Sequence, residues 1–326
     1  MLYKPYSPQY ANAVIEAWND AIGAEFPMDA RLWQQKIDSS ERTFIPASWI
    51  AFDGDLVAGF AIGRLPGNLT CLAVRPAYRR RGIGRALLER FVGGIISPSA
   101  KALAGRLTAT GLPPEKLVTG QDYHHFFPGV PEIYEGTLQF FEACGWTRSQ
   151  GWAVDLCRDL TGYRIAPEVA DTIQRLAADG IVLRACTPDD VASLLKHIET
   201  EFSRGWLDVT SARVRLEADP LDIKIAVRGQ DVIGFAQTFT KHSAVIGPSV
   251  SWRRLLGPDY GGLGPIGIAK EVRKIGLGLA ILSYSVEEVR KSGATRMAID
   301  WTVLVDFYGR VGFNVWKRYI PCTLEL

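Results

Sequence analysis

One pattern occurs twice in this chain at a fixed interval, and it limits the fold more than any other feature. Arg79, Gly82 and Gly84 recur as Arg273, Gly276 and Gly278, each 194 positions on (273 − 79, 276 − 82, 278 − 84). Around both copies the order is the same. An apolar run (Leu69 to Val74, Leu263 to Ile268) leads into a basic turn, and an amphipathic helix begins near Ile83 or Leu277. The segments further on match as well. Leu138-Gln-Phe-Phe-Glu-Ala-Cys-Gly-Trp146 parallels Val305-Asp-Phe-Tyr-Gly-Arg-Val-Gly-Phe313, each a short helix stopped by glycine and followed by an aromatic strand. A repeat on this scale implies two similar α/β units in tandem.

The turn itself is built for a polyphosphate. A strand–turn–helix offers several backbone N–H groups and a helix N-terminus to one anion, here with arginines around it. Glycine keeps side chains out of the phosphate's way and tolerates a positive φ cheaply. The spacing excludes other phosphate loops. There is no G-x-x-x-x-G-K-[ST], and Gly82 and Gly84 are followed by Leu87 where a dinucleotide fold would have a third glycine.

What remains, R-x-x-G-x-G after a strand and Val-x-Pro, resembles the pyrophosphate motif of the GNAT acetyltransferase superfamily. The chain is similar to two such domains in tandem over nearly its whole length. The resemblance implies an α/β (α+β) fold, each domain a mixed, largely antiparallel sheet flanked by helices. The expected domains are residues 1–160 and 181–326, with a linker over 161–180. Acetyl-coenzyme A is the implied cosubstrate. Its implied contacts are Leu72, Val74, Arg79, Arg80, Arg81, Gly82, Ile83 and Gly84 in one copy. In the other they are Ile266, Ile268, Arg273, Lys274, Gly276, Leu277 and Gly278.

The implied chemistry is direct attack by a primary amine on the thioester. A backbone N–H of the motif strand holds the carbonyl oxygen, and a tyrosine on the last helix protonates the thiolate. That position is Tyr308 in the second copy and Phe141 in the first, which has no proton to give. Tyr308 is therefore the candidate acid, its other reading being a core aromatic. Asp300 is the first candidate base, its other role a cap on a helix starting near Thr302. His124 and His125 are alternatives in the first copy, in the loop 120–131, whose run from Phe126 to Pro131 is too apolar to be solvated. Glu271 reads as a solvated turn residue. Two further readings stay open: catalysis by the first copy, and a non-catalytic acyl-coenzyme A sensor.

Composition fits this picture. At 326 residues the chain suits two ordinary domains, and 47% hydrophobic with 22% charged residues describes a globular protein. A net charge of +2 gives no case for nucleic acid. Four histidines without ligand-like spacing argue against a metal. Five cysteines with no C-x-x-C, no leader-like N-terminus and no transmembrane stretch suggest a cytoplasmic protein, and the resemblance implies a small-molecule amine as partner. Two stretches resist placement: 97–115, and the extra chain at 241–262 of the second half, which is read as a wall of a substrate cleft or as a seal.

Overall fold

The computed structural model describes residues 1–40, 43–107, 114–122, 124–216 and 220–326. In chain order the elements begin β1 (Leu2–Pro5), α1 (Ala11–Ile22), α2 (Ala30–Trp33), β2 (Trp49–Asp53), β3 (Leu56–Arg64) and β4 (Asn68–Val74). Next come α3 (Ile83–Ile95), α4 (Pro98–Leu107), β5 (Lys116–Thr119), β6 (Val130–Pro131), α5 (Glu135–Ala143) and β7 (Thr147–Arg148). The second run is β8 (Ala153–Asp159), α6 (Pro167–Ala178), β9 (Ile181–Ala185), α7 (Val191–Glu201), α8 (Arg204–Leu216) and β10 (Ile223–Arg228). It continues through β11 (Asp231–Thr240), α9 (Arg253–Leu256), β12 (Tyr260–Ile268), α10 (Leu277–Lys291) and β13 (Arg296–Thr302). It closes with α11 (Val305–Gly309), β14 (Asn314–Ile320) and β15 (Cys322–Glu325).

Two compact units result, but their boundaries differ from the expected ones. The first comprises Met1–Ala153 with Lys317–Leu326, and the second Val154–Trp316. The segment expected as a linker, 161–180, carries helix α6, which belongs to the second unit. Its residues Val169, Ile173 and Leu176 fall on one helical face. Leu176 and Ile173 join the second core with Leu277, Ala280 and Ile281 of α10. Val154 and Leu156 of β8 are buried in that core as well. Apolar burial thus decides which unit each connecting segment joins.

In the first unit the strands run β1-β2-β3-β4-β5-β15-β7. β4 and β5 are parallel, and β1 to β4 are joined by antiparallel pairs. The chain's last strand therefore lies between β5 and β7, pairing antiparallel with both. Tyr319 and Ile320, at the end of β14, pair with β6 in the same unit. α3 packs a stripe of Ile83, Leu87, Leu88, Phe91 and Ile95 onto this sheet. In the second unit the order is β9-β10-β11-β12-β13-β8, with β12 and β13 parallel. No helix among the described residues is long and apolar enough to cross a membrane.

Of the two unplaced stretches, the first contains α4, while residues 108–113 lie outside the described residues. The second forms a short helical turn, then α9, then the start of β12. The motif strand accordingly begins at Tyr260, earlier than the expected Leu263. Ser249 sits 2.5 Å from where a Cβ on Gly262 would stand, so glycine lets this insertion lie directly on the strand.

Candidate active site

Both motif turns adopt one backbone. Arg80 and Gly82 have φ of 63° and 79°, and Lys274 and Gly276, at the same offset, have 69° and 90°. Left-handed residues alternating with right-handed or extended ones curl N–H groups inward into an anion nest. α3 and α10 then start from Gly82 and Gly276 with no side-chain cap, which leaves their first-turn N–H groups to a ligand. Ile83 and Leu277 contribute only backbone here, because their side chains are core residues.

The arginines of the first turn divide their work. Arg79 donates through Nε to the Val74 carbonyl (3.1 Å) and through Nη2 to that of Ala21 (3.0 Å), so it fastens the turn to β4 and α1. Arg81 stacks over the Tyr78 ring at 5.3 Å. Arg80 lines the cleft. On the second turn, Arg175 of α6 donates to the Ile275 carbonyl (2.7 Å), and Thr172 lies 2.7 Å from the Cβ position of Gly276.

Beyond each turn the motif strand and its parallel neighbour part at the same place. β4 pairs with β5 as far as Leu69 and Thr119, and β12 with β13 as far as Leu263 and Ile299. In the first unit the gap opens into a cleft of about 1020 Å³, which Leu72, Val74, Arg79, Arg80, Gly82, Ile83 and Gly84 line with Tyr134, Phe140 and Phe141. Tyr134 is half-buried. Burial raises its hydroxyl pKa, Glu25 adds to this, and Arg79 opposes it.

The first residues past the fork differ between the units. In the second they are Gly264 and Asp300. Gly264 has φ of 139°, and the Asp300 carboxylate stands 3.0 Å from where its Cβ would be. Tyr308 is 6% exposed. Burial pushes its hydroxyl well above the usual tyrosine range, the Asp300 charge pushes further, and a hydrogen bond with Thr302 acts the other way. Asp300 thus stands at the fork, while Tyr308 is a buried member of the second core whose hydroxyl feels the Asp300 charge. The capping role considered for Asp300 is not taken up: α11 starts from Leu304 with no side-chain cap, and the Thr302 hydroxyl accepts from the Leu304 N–H at 3.0 Å in the turn before it.

In the first unit the same positions are Thr70, Gly120 and Phe141. A Cβ on Gly120 would collide with the Phe127 carbonyl oxygen. Phe141 is buried against Trp146, ring centroids 5.3 Å apart. His124 and His125 do not line the cleft. His125 is buried with Nδ1 2.8 Å from the Asp122 carbonyl oxygen, and the His124 N–H donates to the Asp122 carboxylate. A buried Arg64–Asp122 ion pair anchors this loop, and Lys36 donates to the His125 carbonyl at 2.7 Å. No local sequence signal marks that pair, because its partners are 58 residues apart.

Comparison with family models decides the family. A model described as "Acetyltransferase (GNAT) domain" matches residues 46–111, and one described as "Acetyltransferase (GNAT) family" matches 191–313. The chain belongs to the GNAT acetyltransferases. It is a tandem member, with one GNAT fold in each unit. Among solved structures it is similar to the GCN5-related glucosamine N-acetyltransferase region of a fungal multi-domain GH3 β-N-acetylglucosaminidase, at 23% identity and TM-score 0.83. That match covers 99% of this chain and spans only 38% of the other. A GCN5-related N-acetyltransferase from Sphaerobacter thermophilus matches at 18% identity and TM-score 0.66, covering 99% and 95% of the two chains. A tandem GNAT protein from the clavulanic acid biosynthesis pathway matches at 19% and 0.61, covering 99% and 98%. Comparison with curated proteins gives no match. At these identities the likeness is one of fold.

Proposed function

We propose that this tandem GNAT protein is an acetyl-coenzyme A-dependent N-acetyltransferase whose turnover occurs in the second unit. The observation that supports the reading is the Asp300 carboxylate standing against Gly264 where β12 and β13 part, with its charge acting on the buried Tyr308 hydroxyl. The uncapped helix starts and left-handed turns suit the coenzyme's diphosphate, with Arg80, Arg273 and Lys274 as cations beside it. When bound, acetyl-coenzyme A supplies the activated thioester. The Ile266 N–H, on the motif strand, is the donor assigned to its carbonyl oxygen.

The roles of acid and base follow from environment. Tyr308 stays protonated at neutral pH, since burial and the neighbouring carboxylate both oppose its ionisation. It therefore gives a proton to the departing sulfur. Asp300 takes the proton that the amine sheds as its nitrogen bonds the acyl carbon and the carbon–sulfur bond breaks. That proton then returns to Tyr308 through water.

For the acceptor we propose an amino sugar. The fungal relative named as a glucosamine N-acetyltransferase shares the fold across this whole chain. The test is acetyl-coenzyme A consumption against a panel of glucosamine, other amino sugars, aminoglycosides, polyamines and peptide N-termini. The expected outcome is coenzyme A release that depends on an amino sugar, with the N-acetyl product identified by mass. Release with peptide N-termini alone would reject the acceptor class, and release with no amine at all would reject the activity.

A further inference from the structure

One step past Asp300 stands a residue that the chemistry above does not use. Trp301 has φ of 40°, a left-handed conformation that is costly for a bulky side chain. The backbone is not peculiar to this copy. Counting from the last paired residues, Ile299 and Thr119, the counterpart of Trp301 is Gln121, which has φ of 60°. The left-handed step is therefore common to both copies, and the tryptophan at it is particular to the second. Burial gives little return for that choice, since Trp301 is 37% exposed and is followed in the chain by the exposed Val303 and Leu304.

A bulge sets the position of this side chain. β13 and β8 pair at Ile299 with Leu156 and again at Thr302 with Val154, so Asp155 alone stands opposite both Asp300 and Trp301. That breaks the alternation which would send consecutive side chains to opposite faces, and bulges beside active sites re-aim side chains in this way. Asp155 is buried, and its carboxylate accepts the Trp301 N–H at 3.1 Å, which fixes the left-handed step. A partly exposed indole is thereby held next to the carboxylate assigned as base, their Cα atoms about 3.8 Å apart. Such a ring suits a pyranose and has nothing comparable to offer an acyclic amine. The C–H groups of a sugar ring form an apolar face, while its hydroxyls point to the rim.

We propose that Trp301 is the specificity-determining residue of the second unit's acceptor site: its indole takes the apolar face of an amino-sugar ring and sets the amine against Asp300. This rests on the amino-sugar acceptor proposed above, and deepens it by naming the group that reads the ring. Trp301→Gln should fold, because Gln121 already occupies this backbone in the first unit. Its KM for glucosamine should rise by roughly tenfold, the loss expected of one aromatic contact, with kcat and the KM for acetyl-coenzyme A unchanged. Trp301→Phe keeps an aromatic face and should recover most of the loss. An unchanged glucosamine KM in Trp301→Gln overturns the proposal, and so does a Trp301→Phe protein that is no better. A parallel rise in both KM values, or a fall in kcat alone, would mark a merely structural role and overturn it as well.

Binding supplies a second readout that does not depend on turnover. Saturation-transfer NMR on the unaltered protein with N-acetylglucosamine, irradiating the aromatic protons, should show transfer to the ring protons of the sugar. In Trp301→Gln that signal should be largely lost. No transfer in the unaltered protein, or the same transfer in a folded Trp301→Gln protein, overturns the proposal. N-acetylglucosamine bound through Trp301, with no acetyl transfer to any amine, would defeat the proposed activity and leave this inference standing.

Discussion

At Gly264 and Asp300 a single missing side chain decides what the fork between two strands can do. Thr70 fills the corresponding place in the first unit, whereas Gly264 leaves it bare and Asp300 reaches in from the neighbouring strand. A Gly264→Ala protein should suffer twice: backbone strain of about 1–3 kcal/mol at φ of 139°, and displacement of the carboxylate. A lowered melting temperature and a reduced kcat with unchanged acetyl-coenzyme A binding are the expected readings. Tyr308→Phe removes only a hydroxyl, so binding should persist while kcat falls by roughly 10²–10⁴-fold. Asp190 tests electrostatics away from the site. Arg184 donates to both its oxygens (2.5 and 2.7 Å), and the Thr187 N–H donates to Oδ2 at 2.8 Å. The Arg184 bonds, with those from Thr187, outweigh burial and hold its carboxyl well below the usual range. A depressed folded pKa means stability that is present above the unfolded value of about 3.9 and lost as pH falls through the folded one. Asp190→Asn should therefore cost roughly 1 kcal/mol at pH 7, and the gap from wild type should close only in acid, as read by denaturant midpoints across pH.

The elements that carry periodic apolar residues were legible in the chain itself. α3 shows its stripe from Ile83 to Ile95, and α3 and α10 begin at Ile83 and Leu277, where the repeat puts them. Both cofactor turns were legible because glycine spacing reports backbone conformation directly. What the pattern does not carry is allegiance. β8, α6 and β15 look like connectors or ends, and only tertiary burial assigns β8 and α6 to the second core and β15 to the first sheet. The loop network around Arg64 and Asp122 was hidden for the same reason, its partners being distant in sequence. One consequence is testable at this scale. β15 borders β5, the Cys322 N–H donates to the Thr119 hydroxyl at 2.9 Å, and Thr119 lines the first cleft. Ending the chain at Trp316 should therefore abolish acetyl-coenzyme A protection of residues 80–84 in hydrogen exchange, though it leaves the motif untouched. Asp122→Ala should be harsher than its single atom pair suggests. Leaving Arg64 buried without its partner costs about 3–5 kcal/mol, visible as a drop in the unfolding midpoint.

For the molecule as a whole, duplication has produced two copies of one fold that keep the same turn and diverge at the fork. The second copy has Asp300 past the fork and Tyr308 on its last helix; the first has Gly120 and Phe141 there, beside a cleft of about 1020 Å³. A rapid-quench single-turnover experiment tests this division most directly. The protein is saturated with labelled acetyl-coenzyme A, freed of excess, and mixed with the amino sugar selected by the acceptor panel. The account expects a fast phase of one acetyl group transferred per chain, from two bound. A fast phase of two, or of none, would contradict it.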